Sequence, residues 1–258
     1  MDLGIIKSTF IVTGAGTGLG RAIAEALLDE GAYVVANSRT EKHLITLRDL
    51  FPSQVEYVAG DIHSMEVQDE LFSKLGNREL AGVIINAGGP PAISAIEAKM
   101  DEWDKAYHSV MRWKIQFLQK LIPKLIHQNY GRVVFIESIS VKQPVENLVL
   151  STSFRMGIVG YVKTLSQEIG KHGITLNILA PGYHNTDALK RVIIKKSQVN
   201  DLSIQEAKSK LEAETLTNKL GDPQDFASLA LWLLSPNSRY ITGQTISVDG
   251  GISRGVFG

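Results

Sequence analysis

Ser151 and Arg155, one helical turn apart, are the first candidates for chemistry in this chain. They open the stretch LSTSFRMGIVGYVKTL (150–165), whose apolar spacing is typical of an amphipathic helix. Positions four apart share one face of a helix, so a hydroxyl and a guanidinium would point into the same space. The hydroxyl can orient a carbonyl or a water, and arginine is a permanent cation. The pair is therefore either an active site or what remains of one.

A glycine-rich stretch, TGAGTGLG (13–20), directly follows the first β-branched run and directly precedes the first helical pattern. Its glycines do not match the GxGxxG spacing, because leucine stands where the third glycine would fall. Glycines nevertheless permit a tight turn, and free amides at a helix start bind a pyrophosphate. We therefore predict nucleotide binding by Gly14, Thr17, Gly18, Leu19 and Gly20.

The side chain that reads the adenosine ribose is expected roughly 20 residues beyond such a loop. The second β-branched run ends there as ANSRT, which supplies Ser38 and Arg39 and no carboxylate. NAD sites place Asp or Glu here for the ribose hydroxyls, whereas the planar fork of arginine suits a 2′-phosphate. This chemistry favours NADP over NAD, and a solvated loop arginine is the alternative.

The elements that must position these residues follow a simple alternation. Short β-branched runs cover residues 9–14, 33–37, 55–59, 82–86, 132–137, 174–179 and 244–248, and each is too apolar to be half exposed. Between them, apolar residues recur at helical spacing, as in Leu19, Ile23 and Leu27. The pattern predicts an α/β fold: one doubly wound parallel sheet of about seven strands with helices on both faces.

Residues 187–220 depart from this alternation. They are rich in charge and contain no strand candidate, although they lie between two predicted strands. Insertions after the carboxyl end of a strand commonly cover the ligand crevice. We therefore expect a single domain over residues 1–258 that carries a helical substrate lid at 187–220. A helical decoration or an oligomer contact is the alternative.

The composition excludes several classes of protein. Lys plus Arg equal Asp plus Glu at 27 each, so no global field favours nucleic acid or an anionic membrane. The chain has no cysteine, and its six histidines show no metal-binding spacing. No window approaches the roughly 20 apolar residues that cross a bilayer. We expect a cytoplasmic protein that acts on a small molecule and binds no metal, nucleic acid or membrane.

Several motifs, in this order and spacing, resemble the short-chain dehydrogenase/reductase superfamily and its 3-oxoacyl-[acyl-carrier-protein] reductase-like branch. They are TGAGTGLG (13–20), GDI (60–62), INAGG (85–89), EWD (102–104), GRVVFIESIS (131–140), VKTLSQEIGKHGITLNILAPG (162–182) and ITGQTISVDGG (241–251). The resemblance covers essentially the whole chain. It implies a Rossmann-type oxidoreductase domain, a nicotinamide cofactor and a homodimer or homotetramer.

The resemblance also implies which further residues contact the cofactor, from the adenine to the nicotinamide. Two would flank the adenine, three would line a strand end beside the cofactor, and three would hold the nicotinamide end. In that order they are Asp61 and Ile62; Asn86, Ala87 and Gly88; and Pro181, Gly182 and Thr186, with Thr186 on the carboxamide. Several fall on one edge of the sheet, where ligands bind in open α/β folds.

The family's reductases use an Asn, a Ser, a Tyr and a Lys, and three of these four positions depart here. Ser138 matches the family serine, which hydrogen-bonds the substrate carbonyl. The tyrosine position is Ser151, the lysine position is Arg155 and the asparagine position is Val110. Arg155 would still bond the nicotinamide ribose and stabilise negative charge near Ser138. A serine hydroxyl is far less acidic than a phenol, so carbonyl reduction lacks its usual proton donor.

Three residues near the same strand edge are candidates for a substitute acid: His184, Tyr183 and Lys142. His184 is the first choice because imidazole titrates near neutrality. An exposed loop side chain without a catalytic role is the alternative for each. The predicted catalytic set is therefore Ser138, Ser151, Arg155 and His184.

Two functions remain open on the sequence. The first is an NADP-dependent oxidoreductase of the 3-oxoacyl-[acyl-carrier-protein] reductase-like type, acting on a small carbonyl or alcohol through an atypical site. The second is a catalytically inactive protein that binds a nicotinamide nucleotide and serves as a sensor or as an oligomer subunit. The glycine loop supports both functions. The three departures indicate either that hydride chemistry has been lost or that this is a branch with its own mechanism.

Overall fold

A parallel sheet forms the centre of the protein in a computed structural model that describes residues 2–256. Its strands are β1 (Thr9–Val12), β2 (Tyr33–Ser38), β3 (Val55–Ala59), β4 (Leu80–Ile85), β5 (Gly131–Ile136), β6 (Ile174–Pro181) and β7 (Thr245–Val248). They pair in the order β3-β2-β1-β4-β5-β6-β7, and every pair is parallel. The predicted doubly wound α/β fold of about seven strands is confirmed.

Helices cover both faces of the sheet. They are α1 (Gly18–Asp29), α2 (Glu41–Leu50), α3 (Met65–Leu75), α4 (Met100–Ala106), α5 (Trp113–His127), α6 (Val149–Ile169), α7 (Asp187–Val199), α8 (Ile204–Ala213) and α9 (Pro223–Leu234). On one face α1, α2 and α9 bury Leu27, Leu47 and Phe226 against the strands. On the other face α3, α5 and α6 bury residues such as Phe117 and Ile158. The apolar stripes of the sequence are therefore the two halves of the core.

The strand order creates a switch point between β1 and β4. The chain builds β1, β2 and β3 outward in one direction, and β4 then pairs with the other side of β1. Open α/β sheets bind ligands in the crevice outside the carboxyl ends of the strands at such a point. The glycine loop follows β1 and Asn86 follows β4, so both lie at the mouth of this crevice.

The helix that begins at Met100 changes its winding before it reaches the core. Residues Tyr107–Arg112 form a π-helical segment between α4 and α5. Such segments are rare and are frequently found at functional sites. Val110, at the position of the family asparagine, lies in this segment and is 1% exposed. The segment therefore presents an apolar side chain where the family has an amide.

Residues 187–220 contain the helices α7 and α8 and no strand. The two helices share a small apolar cluster of Leu189, Ile193, Ala207 and Leu211, separate from the main core. The segment is thus attached beside the carboxyl ends of the strands and has a packing unit of its own.

The longest helix, α6, has 21 residues and packs one side against the sheet. Polar and small residues occupy much of its other side, where Ser153 and Gly160 are exposed. Within residues 2–256, no helix has the length and apolar character needed to cross a membrane.

Candidate active site

A threonine joins the carboxyl ends of β1 and β4. Thr13 Oγ1 accepts a hydrogen bond from the Asn86 backbone N at 2.8 Å and donates one to the Asn86 carbonyl at 2.8 Å. Asn86 Nδ2 in turn donates to the Gly14 carbonyl at 3.4 Å. The structure therefore brings Asn86 and the glycine loop together at one edge of the crevice.

The glycine loop leaves no room for a side chain at Gly14 or Gly20. A Cβ at Gly20 would lie 2.2 Å from the Gly14 carbonyl oxygen, which is backbone and cannot move aside. Gly14 has φ 64°, and a Cβ there would lie 2.6 Å from Asn86 Nδ2. Both positions therefore require glycine, which lets the loop turn directly into α1.

The start of α1 offers free backbone amides to the crevice. Its N-cap, Thr17, makes no side-chain cap bond, and the first turn carries no acidic residue. Such a helix end is available to an anion such as a pyrophosphate. Thr186, the N-cap of α7, faces the loop, since a Cβ at Gly18 would lie 3.4 Å from Thr186 Cγ2. Leu19 packs inward against the core.

The residues predicted at the adenosine end lie at the ends of β2 and β3. Gly16 approaches Ser38 closely, since a Cβ there would lie 2.3 Å from Ser38 Oγ. Arg39 and Asp61 are exposed, and Ile62 is buried. The exposed guanidinium is therefore free of the core and accessible to a ligand at this end.

The residues predicted to line the strand end beside the cofactor, and those predicted at its nicotinamide end, lie at or just after the ends of β4 and β6. Pro181 ends β6, and the Gly182 backbone N donates to the Val248 carbonyl at 3.0 Å. Ala87 is half buried against the core, whereas no atom lies within 4 Å of a Cβ built on Gly88. The backbone at Gly88 is therefore open to the crevice.

Ser138 lies two residues beyond the end of β5 and is half buried. Its Oγ accepts a hydrogen bond from the Ser140 backbone N at 3.1 Å and starts a 3₁₀ turn, Ile139–Val141. Because the oxygen acts as acceptor in this turn, the hydroxyl proton remains available to a carbonyl oxygen.

Ser151 and Arg155 are in direct contact on the buried face of α6. Arg155 Nε donates to Ser151 Oγ at 3.0 Å, and the two residues are only 7% and 6% exposed. Arg155 NH2 points toward the INAGG loop, where it lies 3.3 Å from the position of a Cβ on Gly89. The hydroxyl and the cation that the spacing placed on one face therefore form a hydrogen-bonded pair beside the crevice.

Two charged residues that the sequence did not single out complete this group. Arg155 NH1 donates to Glu137 Oε2 at 2.7 Å, and Lys114 Nζ donates to Glu137 Oε1 at 2.6 Å. The side chains of Lys114, Glu137 and Arg155 are 3%, 0% and 8% exposed. One buried carboxylate is therefore shared by two buried cations.

The shared carboxylate has a consequence for Lys114. Burial lowers the pKa of its ammonium to about 8; Glu137 opposes this shift and Arg155 adds to it. A single carboxylate cannot fully compensate two desolvated cations, and arginine keeps its proton. Lys114 is therefore the member of the group whose charge changes first as the pH rises.

His184 does not join this group. Its imidazole packs edge-on against Phe226 with ring centroids 5.1 Å apart, and Nδ1 lies 3.3 Å from the Gly182 carbonyl. A Cβ at Gly221 would lie 2.9 Å from Nε2, so both ring nitrogens are enclosed. Burial lowers the pKa of His184. The ring packs against Phe226 of α9 and is 6% exposed, so His184 is not the exposed loop side chain offered as its alternative. Its role as a substitute acid stays a prediction.

Tyr183 is also held away from the pair on α6. Its hydroxyl donates to Glu214 Oε2 at 2.8 Å, next to the end of α8. Burial, and then the hydrogen bond to Glu214, raise the pKa of Tyr183 above its usual range. The phenol therefore links the β6 end to the 187–220 segment and is a weaker acid than an ordinary tyrosine.

A parallel sheet with a glycine loop at its switch point defines a Rossmann-type nucleotide-binding protein. The family model for enoyl-(acyl carrier protein) reductase matches residues 14–253. The chain therefore belongs to this family of the short-chain dehydrogenase/reductase superfamily, and it is 3-oxoacyl-[acyl-carrier-protein] reductase-like.

Curated relatives of similar length support this placement. The 3-oxoacyl-[acyl-carrier-protein] reductase of Vibrio harveyi is 28% identical over 249 residues, which cover 94% of this chain and 96% of the relative. The corresponding protein of Rickettsia prowazekii is 28% identical over 244 residues, covering 95% and 96%.

Solved structures show the same fold over nearly the full chain. YwfH, described as an NADPH-dependent reductase involved in bacilysin biosynthesis, has a TM-score of 0.90 at 25% identity and covers 97% of this chain and 100% of its own. The L-sorbose reductase of Gluconobacter frateurii, solved with NADPH and L-sorbose, has a TM-score of 0.91 at 23% identity, with coverage of 99% and 100%.

Proposed function

We propose that this chain is an NADP-dependent oxidoreductase that transfers hydride between nicotinamide and a small carbonyl or alcohol substrate. The site is atypical because serine and arginine stand at the tyrosine and lysine positions of the family. The observation that carries the proposal is the buried Arg155, which bonds Ser151 through Nε and turns NH2 toward the cofactor edge at Gly89.

The crevice fits a nicotinamide dinucleotide. Close glycine contacts and the open start of α1 suit a pyrophosphate, and Gly88 leaves the backbone accessible further along the edge. Exposed Arg39 and the absence of a carboxylate at the end of β2 favour the 2′-phosphate of NADP. The NADPH dependence of YwfH supports the same choice. When bound, the nicotinamide supplies the hydride to the carbonyl carbon.

The chain's own residues then have to orient the carbonyl and deliver one proton to its oxygen. Ser138 donates a hydrogen bond that holds the oxygen in place. Ser151 accepts from Arg155 Nε, so its own proton is free to pass to the substrate oxygen, and the serine oxygen left behind faces a permanent cation. The proton is then recovered from water. Because serine is much shorter than tyrosine, the oxygen must approach Ser151 directly or through one water.

The 187–220 segment covers this crevice in the proposed enzyme. Thr186, directly before the segment, faces the glycine loop, and the hydrogen bond from Tyr183 to Glu214 joins the segment to the end of β6. A segment with its own small cluster can open and close as a unit, which suits a lid over substrate.

Binding and turnover test the proposal separately. NADPH and NADH are titrated by fluorescence, and a panel of small carbonyls and alcohols is followed by nicotinamide absorbance. We expect binding of NADPH below millimolar concentration, and turnover that falls at least about 100-fold in Ser138→Ala and Arg155→Ala. Failure of both nucleotides to bind, or turnover unchanged in both variants, would refute the assignment.

The alternative function is a nucleotide-binding protein without hydride chemistry. It is favoured by the enclosed imidazole of His184 and by apolar Val110, which leave the site without an ordinary proton donor or relay. This function predicts NADPH binding with no turnover on the whole panel. It also predicts that the double variant Ser151→Tyr/Arg155→Lys gains activity that the parent chain lacks.

A further inference from the structure

Four side chains form one continuous hydrogen-bonded line from the core to the crevice. Lys114 on α5 bonds Glu137 at the end of β5 at 2.6 Å, and Glu137 bonds Arg155 on α6 at 2.7 Å. Arg155 then bonds Ser151 at 3.0 Å. The line connects three elements that the sheet topology brings together, and it ends on the hydroxyl at the family's tyrosine position.

We propose that Glu137 and Lys114 are positioning residues: Glu137 fixes the Arg155 guanidinium on Ser151, and Lys114 sets the net charge of the cluster. The kinetic effect expected from this inference rests on the proposed function, the reduction of a carbonyl. Its structural part, the fixed orientation of Arg155, concerns the chain alone.

The geometry of the guanidinium supports the positioning role of Glu137. Arginine presents its donors in a rigid planar fork, so fixing one nitrogen fixes the directions of the others. NH1 is engaged by the Glu137 carboxylate and by the Ile136 carbonyl at 3.4 Å. With that nitrogen held, Nε has one direction left, toward Ser151, and NH2 faces Gly89. Without the carboxylate, a long arginine side chain has several rotamers of similar energy.

The charges support the role of Lys114. With Lys114 protonated, two cations and one carboxylate leave the cluster with one positive charge beside Ser151, and with Lys114 neutral the cluster carries none. The charged groups that face Lys114 are Glu137, directly after β5, and Arg155 from α6. Because burial brings the pKa of Lys114 to about 8, the positive charge that would stabilise a serine oxygen is lost above that pH.

Two variants separate the roles. Lys114→Met removes the titrating charge and leaves the Glu137–Arg155 pair intact. Glu137→Gln alone leaves two cations without a counter-ion and is at risk of not folding, so it is made together with Lys114→Met. In that double variant Arg155 alone supplies the positive charge, and only its ionic partner is lost. Two variants of other ion pairs are matched controls. Lys120→Met on α5 removes the cation paired with Asp69, and Glu56→Gln on β3 removes the anion paired with Arg78.

The first measurement needs no activity. In ¹⁵N-labelled protein, Arg155 Nε–H is assigned by its disappearance in Arg155→Lys, and its exchange with water is followed. We expect a resolved, slowly exchanging signal in the parent chain, in Lys114→Met and in both controls. In the double variant we expect it to exchange at least about tenfold faster, because the guanidinium is no longer held. Equal exchange in the double variant overturns the positioning role of Glu137.

The second measurement is the pH profile of kcat. In the parent chain kcat should fall as pH rises through about 8, the pKa of Lys114, and Lys114→Met should be uniformly low across that range. The double variant should lose about 10- to 100-fold in kcat, with a much smaller change in the Kd of NADPH, because the glycine loop is untouched. A parent profile identical to that of Lys114→Met overturns the role of Lys114. If the parent chain binds NADPH without turnover, the proposed function fails, and Nε–H exchange alone decides the inference.

Discussion

At the scale of single residues, Glu137 is the charged residue whose loss should destabilise the fold most. Its carboxylate is fully buried and is the common partner of Lys114 and Arg155. Removing either cation leaves a balanced pair, whereas removing the anion leaves two cations in the core. Breaking a buried ion pair by deleting one partner costs far more than neutral replacement of a surplus charge.

This difference predicts an order of stabilities. Glu137→Gln should lower the free energy of unfolding by about 3–5 kcal/mol, because it leaves uncompensated buried charge. Lys114→Met should change it by no more than about 1 kcal/mol, since the Glu137–Arg155 pair survives. Urea unfolding at pH 7 measures both, with Glu56→Gln as a partly exposed control. Equal losses for Glu137→Gln and Lys114→Met would contradict the arrangement.

Lys114 also predicts a pH dependence of stability. Its pKa is about 8 in the folded chain and 10.5 as the ordinary value. Between these values the unfolded chain holds a proton that the folded chain has released, so this residue's contribution to stability rises with pH. The unfolding free energy of the parent chain, minus that of Lys114→Met, should increase by up to about 3 kcal/mol from pH 7.5 to 10.5. A difference that stays constant or falls would contradict the pKa of Lys114.

Sequence reasoning found half of this cluster. The spacing of Ser151 and Arg155 placed them on one helix face, and the structure joins them at 3.0 Å. It missed Lys114 and Glu137, although each is a charged residue within a buried, mainly apolar stretch. Lys114 is buried on the same helix as Phe117 and Leu118, and Glu137 directly follows the buried strand β5. Local pattern shows that such charges need partners. It does not show which ones, because pairing depends on how α5, β5 and α6 meet.

At the scale of elements, the turn from β1 into α1 is the part of the site with the least freedom. Gly20→Ala would place a Cβ 2.2 Å from the Gly14 carbonyl, so the loop must shift. We expect the Kd of NADPH to rise at least about tenfold, because the amides at the helix start are displaced. Fluorescence titration measures this, and unchanged affinity would remove the loop from the cofactor site.

A glycine in α6 provides the control for that substitution. No atom lies within 4 Å of a Cβ built on Gly160, which is exposed inside the helix. Gly160→Ala should raise the free energy of unfolding by about 0.5–1 kcal/mol, because alanine loses less backbone entropy in a helix. NADPH affinity should be unchanged. Lower stability would mean that this face of α6 is covered.

Most elements could be placed from the sequence because buried parallel strands are uninterrupted β-branched runs. The run at 55–59 is strand β3 itself, and β4 begins at Leu80 rather than at 82. The π-helical segment Tyr107–Arg112 could not be predicted, since one extra residue in a turn leaves the apolar periodicity nearly unchanged. The burial of His184 could not be predicted either, because a loop position does not show that α9 packs over it.

At the scale of the whole molecule, one outer face carries three exposed apolar side chains, from α4, from the π-helical segment after it and from α6. Met100, Tyr107 and Met156 are 74%, 40% and 46% exposed, and Trp103 lies 5.7 Å from Phe154 in an edge-on ring contact. Together with the family resemblance, this face supports the expectation that the chain forms a homodimer or homotetramer.

A charge on this face should weaken that assembly. We expect light scattering to show a dimer or tetramer for the parent chain and a smaller species for Met156→Glu, because a buried carboxylate in an interface has no partner. Leu50→Glu, at another exposed apolar position, is the control and should leave the mass unchanged. A monomeric parent chain would contradict the expectation.

The shared carboxylate also constrains the order in which substitutions can accumulate in a lineage. A descendant that replaces Lys114 first keeps the balanced pair of Glu137 and Arg155. A descendant that replaces Glu137 first has two desolvated cations without a counter-ion until a second substitution occurs. Position 137 therefore becomes free to vary only after position 114 is neutral. Relatives that keep arginine at the position of Arg155 but have an uncharged residue at that of Glu137 should have no lysine at that of Lys114.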